Sequence, residues 1–302
     1  MRILLTGGSG QVGGALLPRL GAHHTVIAPA SADFDLSKPE TLAAQLDAIR
    51  PDLIVNPAAY TAVDRAEDEP ARAVLINAEA PGALARWAAP RRVPMVHLST
   101  DYVFDGHGNS AWREDDPTGP LSVYGRSKLA GERAVRDAGG AHLVVRTAWV
   151  YAATGSNFMR TMIRLAGERD ALRVVADQWG APTSARTVAT MLADIIGQGE
   201  ADLAAAFARA KGLVHLTNSG TTNWHGFAVA ILQGLRSRGA SLRATEVVPI
   251  ATKDYPTKAK RPANSRLDLT RLKDAYGLEP STWESALSQE LDAFAKLSSP
   301  GA

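Results

Sequence analysis

The 302-residue sequence contains no cysteine, which removes several kinds of chemistry at once. Disulfide bonds, thiolate nucleophiles and cysteine-ligated metal sites are all excluded, because each of them needs a thiol. A chain without disulfides is typical of a reducing compartment, so we expect a cytoplasmic location.

The sequence also lacks long apolar runs and any excess of one charge. No stretch approaches the roughly 20 apolar residues that a membrane span requires. The first apolar run meets glycine at residue 7, which is too early for a signal peptide. The formal net charge is +2, and 45% of the residues are hydrophobic. We therefore expect neither nucleic acid nor a membrane as a partner.

A glycine-rich turn follows the first predicted strand. The strand at residues 2–6 leads into Gly7, Gly8, Gly10 and Gly13, and helical spacing begins within the same turn. Two overlapping patterns fit, one starting at Gly7 and one starting at Gly8. In both, glycine permits a tight turn and lets a pyrophosphate approach the backbone, while the N–H groups of the helix face the phosphates. The spacing predicts a dinucleotide-binding turn, with a plain glycine-rich loop as the alternative.

The second predicted strand, at residues 25–28, bears on the choice of dinucleotide. Sites selective for NAD usually place an acid at the end of this strand, where it binds the ribose 2′-hydroxyl. Here Ser31 follows the strand and the first acid is Asp33, so we expect NADPH or NADH, with a lean to NADPH. Ser37, just before a proline-containing helix start, predicts a helix cap, and Asp35 is a candidate adenine contact.

Predicted strands and helices alternate over the first half of the chain. Strands at residues 53–56, 94–98 and 142–146 are separated by helical segments, and this order predicts a Rossmann-type α/β fold with a doubly wound parallel sheet. We predict a dinucleotide-binding domain at residues 1–150. The less regular residues 151–302 are predicted to form mainly a smaller α/β substrate-binding domain, with some segments returning to the main sheet.

Ligands of such sheets bind beyond the carboxyl ends of the strands. Several polar or small residues follow predicted strands, among them Ala59, Ser99 and Thr100. Trp149 also follows a strand, and both a pocket role and a core role are open for it. His97, inside a strand, is predicted to be a core histidine.

Tyr124 and Lys128 are four residues apart on a helix predicted at residues 122–137, so both lie on one helix face. A phenol beside an ammonium can donate a proton at neutral pH, because the positive charge favours the phenolate. The spacing alone is also common on amphipathic helices. Its position after a glycine turn and beside Thr100 favours a hydride-transfer site, in which a hydroxyl and a phenol stabilise the charge on a ketone oxygen.

The joint pattern of glycine turn, Ser-Thr-Asp-Tyr-Val-Phe and Tyr-x-x-x-Lys resembles the extended short-chain dehydrogenase/reductases. Finer strings are similar to the dTDP-4-dehydrorhamnose reductase family, and they extend over most of the chain. These strings are Gln-Val-Gly at 11–13, Asn-Pro-Ala-Ala-Tyr-Thr-Ala-Val-Asp at 56–64, Leu-Ala-Gly-Glu at 129–132, Arg-Thr-Ala-Trp-Val-Tyr at 146–151, Gln-Trp-Gly-Ala-Pro-Thr at 178–183 and Arg-Pro-Ala-Asn-Ser-Arg-Leu at 261–267.

The resemblance implies NAD(P)H-dependent reduction of the 4-keto group of dTDP-6-deoxy-L-lyxo-4-hexulose to dTDP-L-rhamnose. In this family pattern Tyr124 is the proton donor, Lys128 lowers the pKa of Tyr124 and holds the nicotinamide ribose, and Thr100 hydrogen-bonds the 4-keto oxygen. The cofactor-binding residues are then Gly7, Gly10, Gln11, Val12 and Gly13 at the pyrophosphate, Asp35 and Leu36 at the adenine, Ala59, Tyr60 and Thr61 near the adjacent ribose, and Tyr124 and Lys128. The predicted substrate-binding residues are Ser99, Thr100, Tyr124, Trp149 and Arg261.

Alternatives to this function are open. An Arg261 guanidinium suits a diphosphate, but a solvated basic loop fits the same residues. Another epimerase, dehydratase or reductase acting on a nucleotide sugar shares the fold, although Tyr102 stands where a dehydratase would need a second acid. A non-catalytic dinucleotide-binding subunit is a third possibility. Some family members bridge a dimer through Mg²⁺ with glutamates; because Ala15 stands at one such position, we expect no metal site, and the oligomeric state is open.

Overall fold

The computed structural model describes residues 1–298, and the last four positions of the predicted second domain lie outside the described residues. The strands of the described part are β1 (Arg2–Leu5), β2 (Thr25–Ile27), β3 (Leu53–Asn56), β4 (Met95–Thr100), β5 (His142–Thr147), β6 (Val150–Tyr151), β7 (Ala171–Val175), β8 (Trp179–Gly180), β9 (Thr183–Ser184), β10 (Leu213–His215), β11 (Thr222–Asn223) and β12 (Glu246–Ile250).

Helices connect most of these strands. They are α1 (Gln11–Gly21), α2 (Leu42–Ile49), α3 (Val63–Ala66), α4 (Pro70–Val74), α5 (Ala80–Ala88), α6 (Val123–Asp137), α7 (Phe158–Glu168), α8 (Ala185–Gln198), α9 (Leu203–Arg209), α10 (Trp224–Arg236), α11 (Thr270–Tyr276) and α12 (Trp283–Ser298). One π-helical segment, Leu75–Glu79, lies between α4 and α5. No described helix is both long and apolar enough to cross a membrane.

Six strands form one parallel sheet in the order β2-β1-β3-β4-β5-β10. Side chains of β1 alternate between its two faces: Ile3 and Leu5 join the apolar cluster beneath α1 and α8, whereas Leu4 joins the cluster beneath α2 and α5. Because both faces are covered by helices, the central strands β3 and β4 are buried at every residue. The predicted doubly wound α/β fold is confirmed, and β10 shows that a later segment returns to the sheet.

A third apolar cluster lies outside this sheet. Tyr151, Phe227 and Trp283 pack together there with residues of α7, α10 and α12. The short parallel pair β7 and β12 adjoins this cluster. The division into domains at residue 150 stays a prediction, and a separate cluster formed from residues of the second half is the feature that supports it.

Two local predictions were wrong. The strand predicted at residues 94–98 extends to Thr100, because the polar residues Ser99 and Thr100 still pair with β5. Ser37 does not cap a helix: the following 3₁₀ turn has Lys38 at its N-cap position, and the Ser37 hydroxyl donates to Asp35 Oδ1 at 2.7 Å.

Candidate active site

The backbone of the glycine turn between β1 and α1 leaves no room for a side chain at Gly13 and favours glycine at position 7. Gly7 has a φ of +58°, a left-handed conformation that favours glycine. The Gly10 N–H donates to the Gly7 carbonyl at 2.9 Å. A Cβ at Gly13 would lie 2.0 Å from the Gly7 oxygen. The structure therefore favours the pattern that starts at Gly7, with Gly13 letting α1 approach the strand end.

One cleft of about 720 Å³ runs from this turn to the far end of β5. Most of its lining lies at the carboxyl ends of sheet strands or on the helix beside them, as expected for a doubly wound sheet. It brings together twelve of the predicted site residues: Gly7, Gly10, Gln11, Val12, Gly13, Ala59, Thr61, Ser99, Thr100, Tyr124, Lys128 and Trp149.

The other four predicted residues do not line this cleft. Leu36 is buried in the apolar cluster under α2, and the Asp35 carboxylate accepts hydrogen bonds from Ser37. The Tyr60 hydroxyl donates to Glu69 at 3.0 Å. The Arg261 guanidinium forms an ion pair with Asp64 at 2.6 Å. Their predicted ligand contacts stay predictions.

Tyr124 is held on the first turn of α6 by two local features. The Ser122 hydroxyl caps the helix by accepting from the Gly125 N–H at 3.1 Å. A Cβ at Gly125 would lie 2.2 Å from the Tyr102 carbonyl, so α6 sits directly against the end of β4. The Tyr124 ring meets the Tyr102 ring edge to face at 5.5 Å between centroids.

The pKa of Tyr124 is raised to about 12, and the main cause is burial, which disfavours the phenolate. The nearby Thr100 hydroxyl acts in the opposite direction, and the charge of Asp101 raises the pKa further. The sequence predicts that Lys128 lowers this pKa, but in the structure burial outweighs any such effect. Tyr124 is therefore a protonated phenol at neutral pH.

Lys128 is almost fully buried, with 2% of its surface exposed. Its Nζ donates to the Leu98 carbonyl at 2.6 Å and lies 3.5 Å from His97 Nε2. Burial lowers the pKa of Lys128 to about 8, with Glu132 acting to raise it. The amine thus titrates close to neutral pH.

A chain of buried polar groups leads from β1 to Lys128. The Thr6 hydroxyl donates to Asn56 Oδ1 at 2.5 Å, and the Asn56 amide nitrogen lies 3.1 Å from His97 Nδ1. Burial, and then the nearby Lys128, lower the pKa of His97 well below its usual value. His97 is therefore a neutral core histidine, as predicted, and its Nε2 lies beside the Lys128 amine.

Asp101 lies within the Ser-Thr-Asp-Tyr-Val-Phe string, and the structure adds it to the site residues. It lines the cleft, is 2% exposed, and accepts a hydrogen bond from the Thr100 hydroxyl at 3.0 Å. Burial raises the pKa of Asp101 to about 6, with the hydroxyls of Ser265 and Thr100 opposing this effect. The only sequence signal was its position next to Thr100.

Two further residues of the cleft come from the second half of the chain. Trp224 stacks on Trp149, with centroids 3.7 Å apart and ring planes 14° apart. Trp149 adopts a φ of +50°, a left-handed conformation directly after β5. It lines the cleft and also packs against the small apolar cluster around Phe104 and Leu129. Asn157 donates to the Gln11 side chain at 2.9 Å and ties a second loop to the glycine turn. No local motif indicated Trp224 or Asn157.

Within residues 1–298 no group of three or more His, Asp or Glu side chains is placed to hold a metal ion. Ala15 packs at the edge of the cluster under α1, and Arg186 near the start of α8 pairs with Glu290 at 3.0 Å. The absence of a metal site stays a prediction.

The residues at the cleft suit a dinucleotide. Gly7, Gly10 and Gly13 line the cleft and carry no side chain, so a phosphate can approach the backbone of the turn. Within the described chain, the buried Ser99 Oγ, Thr147 Oγ1 and Asp101 Oδ2 have no hydrogen-bond partner although all three residues line the cleft. Buried polar atoms are usually satisfied, so these atoms are available to a ligand.

Comparison with known proteins places the chain in a family. A family model described as "RmlD substrate binding domain" matches residues 1–296. A dTDP-4-dehydrorhamnose reductase from Burkholderia thailandensis is 48% identical over 291 residues, covering 95% of this chain and 97% of the relative. The chain belongs to the dTDP-4-dehydrorhamnose reductase family.

Solved structures agree with this family assignment. A dTDP-4-dehydrorhamnose reductase from Clostridium acetobutylicum superimposes with a TM-score of 0.88 and 34% identity, covering 98% of this chain and 100% of the other. The Bacillus anthracis dTDP-4-dehydrorhamnose reductase, solved in complex with NADP, gives a TM-score of 0.87 at 31% identity and covers 97% of this chain and 99% of its own. Members of this family are oxidoreductases, and the resemblance inferred from the motifs is confirmed.

Proposed function

We propose that this protein reduces the 4-keto group of dTDP-6-deoxy-L-lyxo-4-hexulose to dTDP-L-rhamnose, using NADPH or NADH. The observation that carries the proposal is that one cleft joins the glycine turn to Tyr124, Lys128 and Thr100. Membership of a family of reductases with this name supports the same reaction.

The dinucleotide would be held at both ends of the cleft. Gly10, Gln11 and Val12 would face the pyrophosphate, since Gly10 is the N-cap of α1 and Gln11 and Val12 begin its first turn. Ala59 and Thr61 would border the adjacent ribose, and Lys128 would reach the nicotinamide ribose. When bound, the nicotinamide supplies the hydride that the sugar C4 accepts.

Tyr124 would donate the proton to the sugar O4. Its raised pKa, about 12, keeps the phenol protonated at neutral pH, while an alkoxide forming on the sugar is a stronger base and can take the proton. Ser99 and Thr100 would place hydroxyl groups at the same oxygen, which stabilises the charge that develops there.

Lys128 would restore the Tyr124 proton and orient the ribose. Its pKa of about 8 means that both charge states are populated close to neutral pH, as a group that passes protons requires. The carbonyl of Leu98 fixes the amine in the cleft.

The predicted second domain would supply the sugar pocket. Trp149 and Trp224 form a stacked aromatic wall in the cleft, and a flat aromatic face suits the apolar face of a deoxyhexose. Arg261, which Asp64 holds near Tyr102, is the proposed ligand of the substrate diphosphate.

The proposed lean to NADPH rests on the end of β2. Ser31 and Asp33 are exposed there, and the nearest half-buried acid, Asp35, is engaged by Ser37 and Lys38. No fixed carboxylate is therefore in position to repel a 2′-phosphate.

The test supplies purified protein with the dTDP-4-keto sugar and either NADPH or NADH, and follows the nicotinamide absorbance. We expect substrate-dependent oxidation with both cofactors and a higher kcat/KM with NADPH. Folded protein that shows no substrate-dependent oxidation would reject the function, and a strong preference for NADH would reject the argument from Ser31.

A further inference from the structure

Asp101 and Thr100 form a buried pair at the point where the ketone oxygen would sit. The Thr100 hydroxyl donates to Asp101 Oδ1 at 3.0 Å, and the Tyr102 N–H donates to Thr100 Oγ1 at 3.2 Å. Asp101 Oδ2 is buried and has no partner in the described chain. Nothing in the proposed reductase chemistry above uses this carboxyl.

A hydroxyl has one proton to donate and two lone pairs to accept with. When Asp101 is ionised, its carboxylate can only accept hydrogen bonds, so the Thr100 hydroxyl donates its single proton to the carboxylate. The Thr100 hydroxyl acts on Tyr124 and lowers its pKa, so the two groups are neighbours. With its proton donated to Asp101, Thr100 can offer Tyr124 only a lone pair. In this arrangement neither hydroxyl proton points at a ketone.

Protonation of Asp101 reverses the direction of these hydrogen bonds. A carboxylic acid has an O–H of its own, which can be donated to Thr100 Oγ1. Both Thr100 lone pairs are then filled, one by Tyr102 N–H and one by Asp101. The Thr100 proton and the Tyr124 proton are both left to the ketone oxygen.

We propose that Asp101 is a positioning residue for the reduction: its protonated form turns the Thr100 hydroxyl towards the sugar O4, and its ionised form turns that hydroxyl away. This inference rests on the proposed reductase function. The proton delivered to O4 comes from Tyr124, and Asp101 keeps its own proton, so the overall reaction is unchanged.

The surroundings of Asp101 allow it to titrate in the working range. The titratable neighbours coupled to it are Tyr102 and, on α6, Tyr124. Ser265 reaches it from the C-terminal segment and, with Thr100, opposes the effect of burial on its pKa. Of the cations nearby, Arg261 acts on Tyr102 and is paired with Asp64.

The first test is the pH dependence of kcat for reduction at saturating NADPH and keto sugar. With a pKa of about 6 for Asp101, kcat of the wild type should fall about tenfold from pH 5 to pH 7, in proportion to the protonated fraction. In Asp101→Asn the amide nitrogen always donates, so this decline should disappear, whatever the absolute rate.

Glu114→Gln is the matched control, because Glu114 is another buried carboxyl with a raised pKa that does not line the cleft. The decline should remain in this variant. A decline that persists unchanged in Asp101→Asn, or that disappears in Glu114→Gln as well, would overturn the proposal.

Ser265→Ala gives a graded test if Asp101→Asn fails to fold. Because the Ser265 hydroxyl lowers the pKa of Asp101, its loss should raise that pKa and move the decline in kcat to higher pH. A merely structural role for Asp101 would change rates without moving this midpoint, and an unmoved midpoint would therefore contradict the proposal.

A titration of the Asp101 carboxyl by carbon-13 NMR needs no substrate, so it tests the role of Asp101 separately from the proposed reductase function. The proposal expects a midpoint well above that of an ordinary aspartate, raised further in Thr100→Val. If the wild type fails to reduce the sugar, the proposed function is rejected. The titration then still tests whether Thr100 changes the pKa of Asp101. An ordinary midpoint, or one that Thr100→Val leaves unchanged, would refute it.

Discussion

Replacing Gly13 by alanine should break the dinucleotide-binding turn while leaving the rest of α1 intact. The added Cβ would stand 2.0 Å from the Gly7 oxygen and 2.7 Å from the Gly7 carbonyl carbon. Both are backbone atoms, so no side-chain rotation can relieve the overlap. Either α1 or the turn at Gly7 must move.

The size of the effect follows from this contact. Overpacking in a close-packed site costs about 1–3 kcal/mol, and a backbone obstacle places Gly13→Ala near the upper end. Gly14→Ala is the matched control on the same helix: its Cβ would lie 3.4 Å from the Gly8 oxygen, an ordinary contact. Alanine at such a position stabilises by about 0.4–1 kcal/mol, because it restricts the unfolded chain.

The assay pairs urea unfolding with a titration of NADPH followed by nicotinamide fluorescence. We expect Gly13→Ala to lose about 3 kcal/mol of unfolding free energy and most of its affinity for NADPH, whereas Gly14→Ala keeps both. If Gly13→Ala binds NADPH as tightly as the wild type, the turn does not approach the cofactor and the reasoning is refuted.

Three further predictions concern the proton donor and the buried charges. Tyr124→Phe should bind NADPH normally but lose at least about a hundredfold in kcat, since a positioned acid contributes this much; an active variant would show another proton source. Glu132→Gln should cost about 3–5 kcal/mol of unfolding free energy, because the buried guanidinium of Arg146 loses its charged partner. The two side chains are 2.7 Å apart, and that of Arg146 is 4% exposed. Adding Arg146→Met should recover part of the loss, and no recovery would show that the unpaired charge is not its cause. Burial holds the pKa of His215 well below its usual value of 6.5, so below that pH the folded state binds fewer protons than the unfolded state. Relative to His215→Leu, the wild type should therefore lose about 1.4 kcal/mol of unfolding free energy per pH unit as the pH falls below 6.5. Unfolding free energies measured in urea that change with pH in the same way in both proteins would refute this.

Features encoded by neighbouring residues were predictable from the sequence. The turn at Gly7, Gly10 and Gly13 could be identified because its geometry needs glycine at each of these positions. Tyr124 and Lys128 could be placed on one face of a helix from their spacing alone. The alternation of strands and helices then placed these groups at one edge of the sheet.

Features that depend on distant segments could not be predicted. Ser99 and Thr100 look like a loop because they are polar, yet β5 pairs with them and extends the strand. Asp101 acquires its raised pKa only because the folded chain buries it, and Ser265, which opposes this effect, is 164 residues away in the sequence. Trp224 reaches Trp149 only through the packing of α10.

The most direct test of the central claim follows the hydride itself. Purified protein is mixed with NADPH that carries deuterium at the transferable nicotinamide position and with the dTDP-4-keto sugar, and the product is examined by NMR and mass spectrometry. The proposed function predicts one deuterium at C4 of a dTDP-6-deoxyhexose that has gained a 4-hydroxyl group. A product without deuterium at C4, or a sugar whose 4-keto group survives while NADPH is consumed, would contradict it.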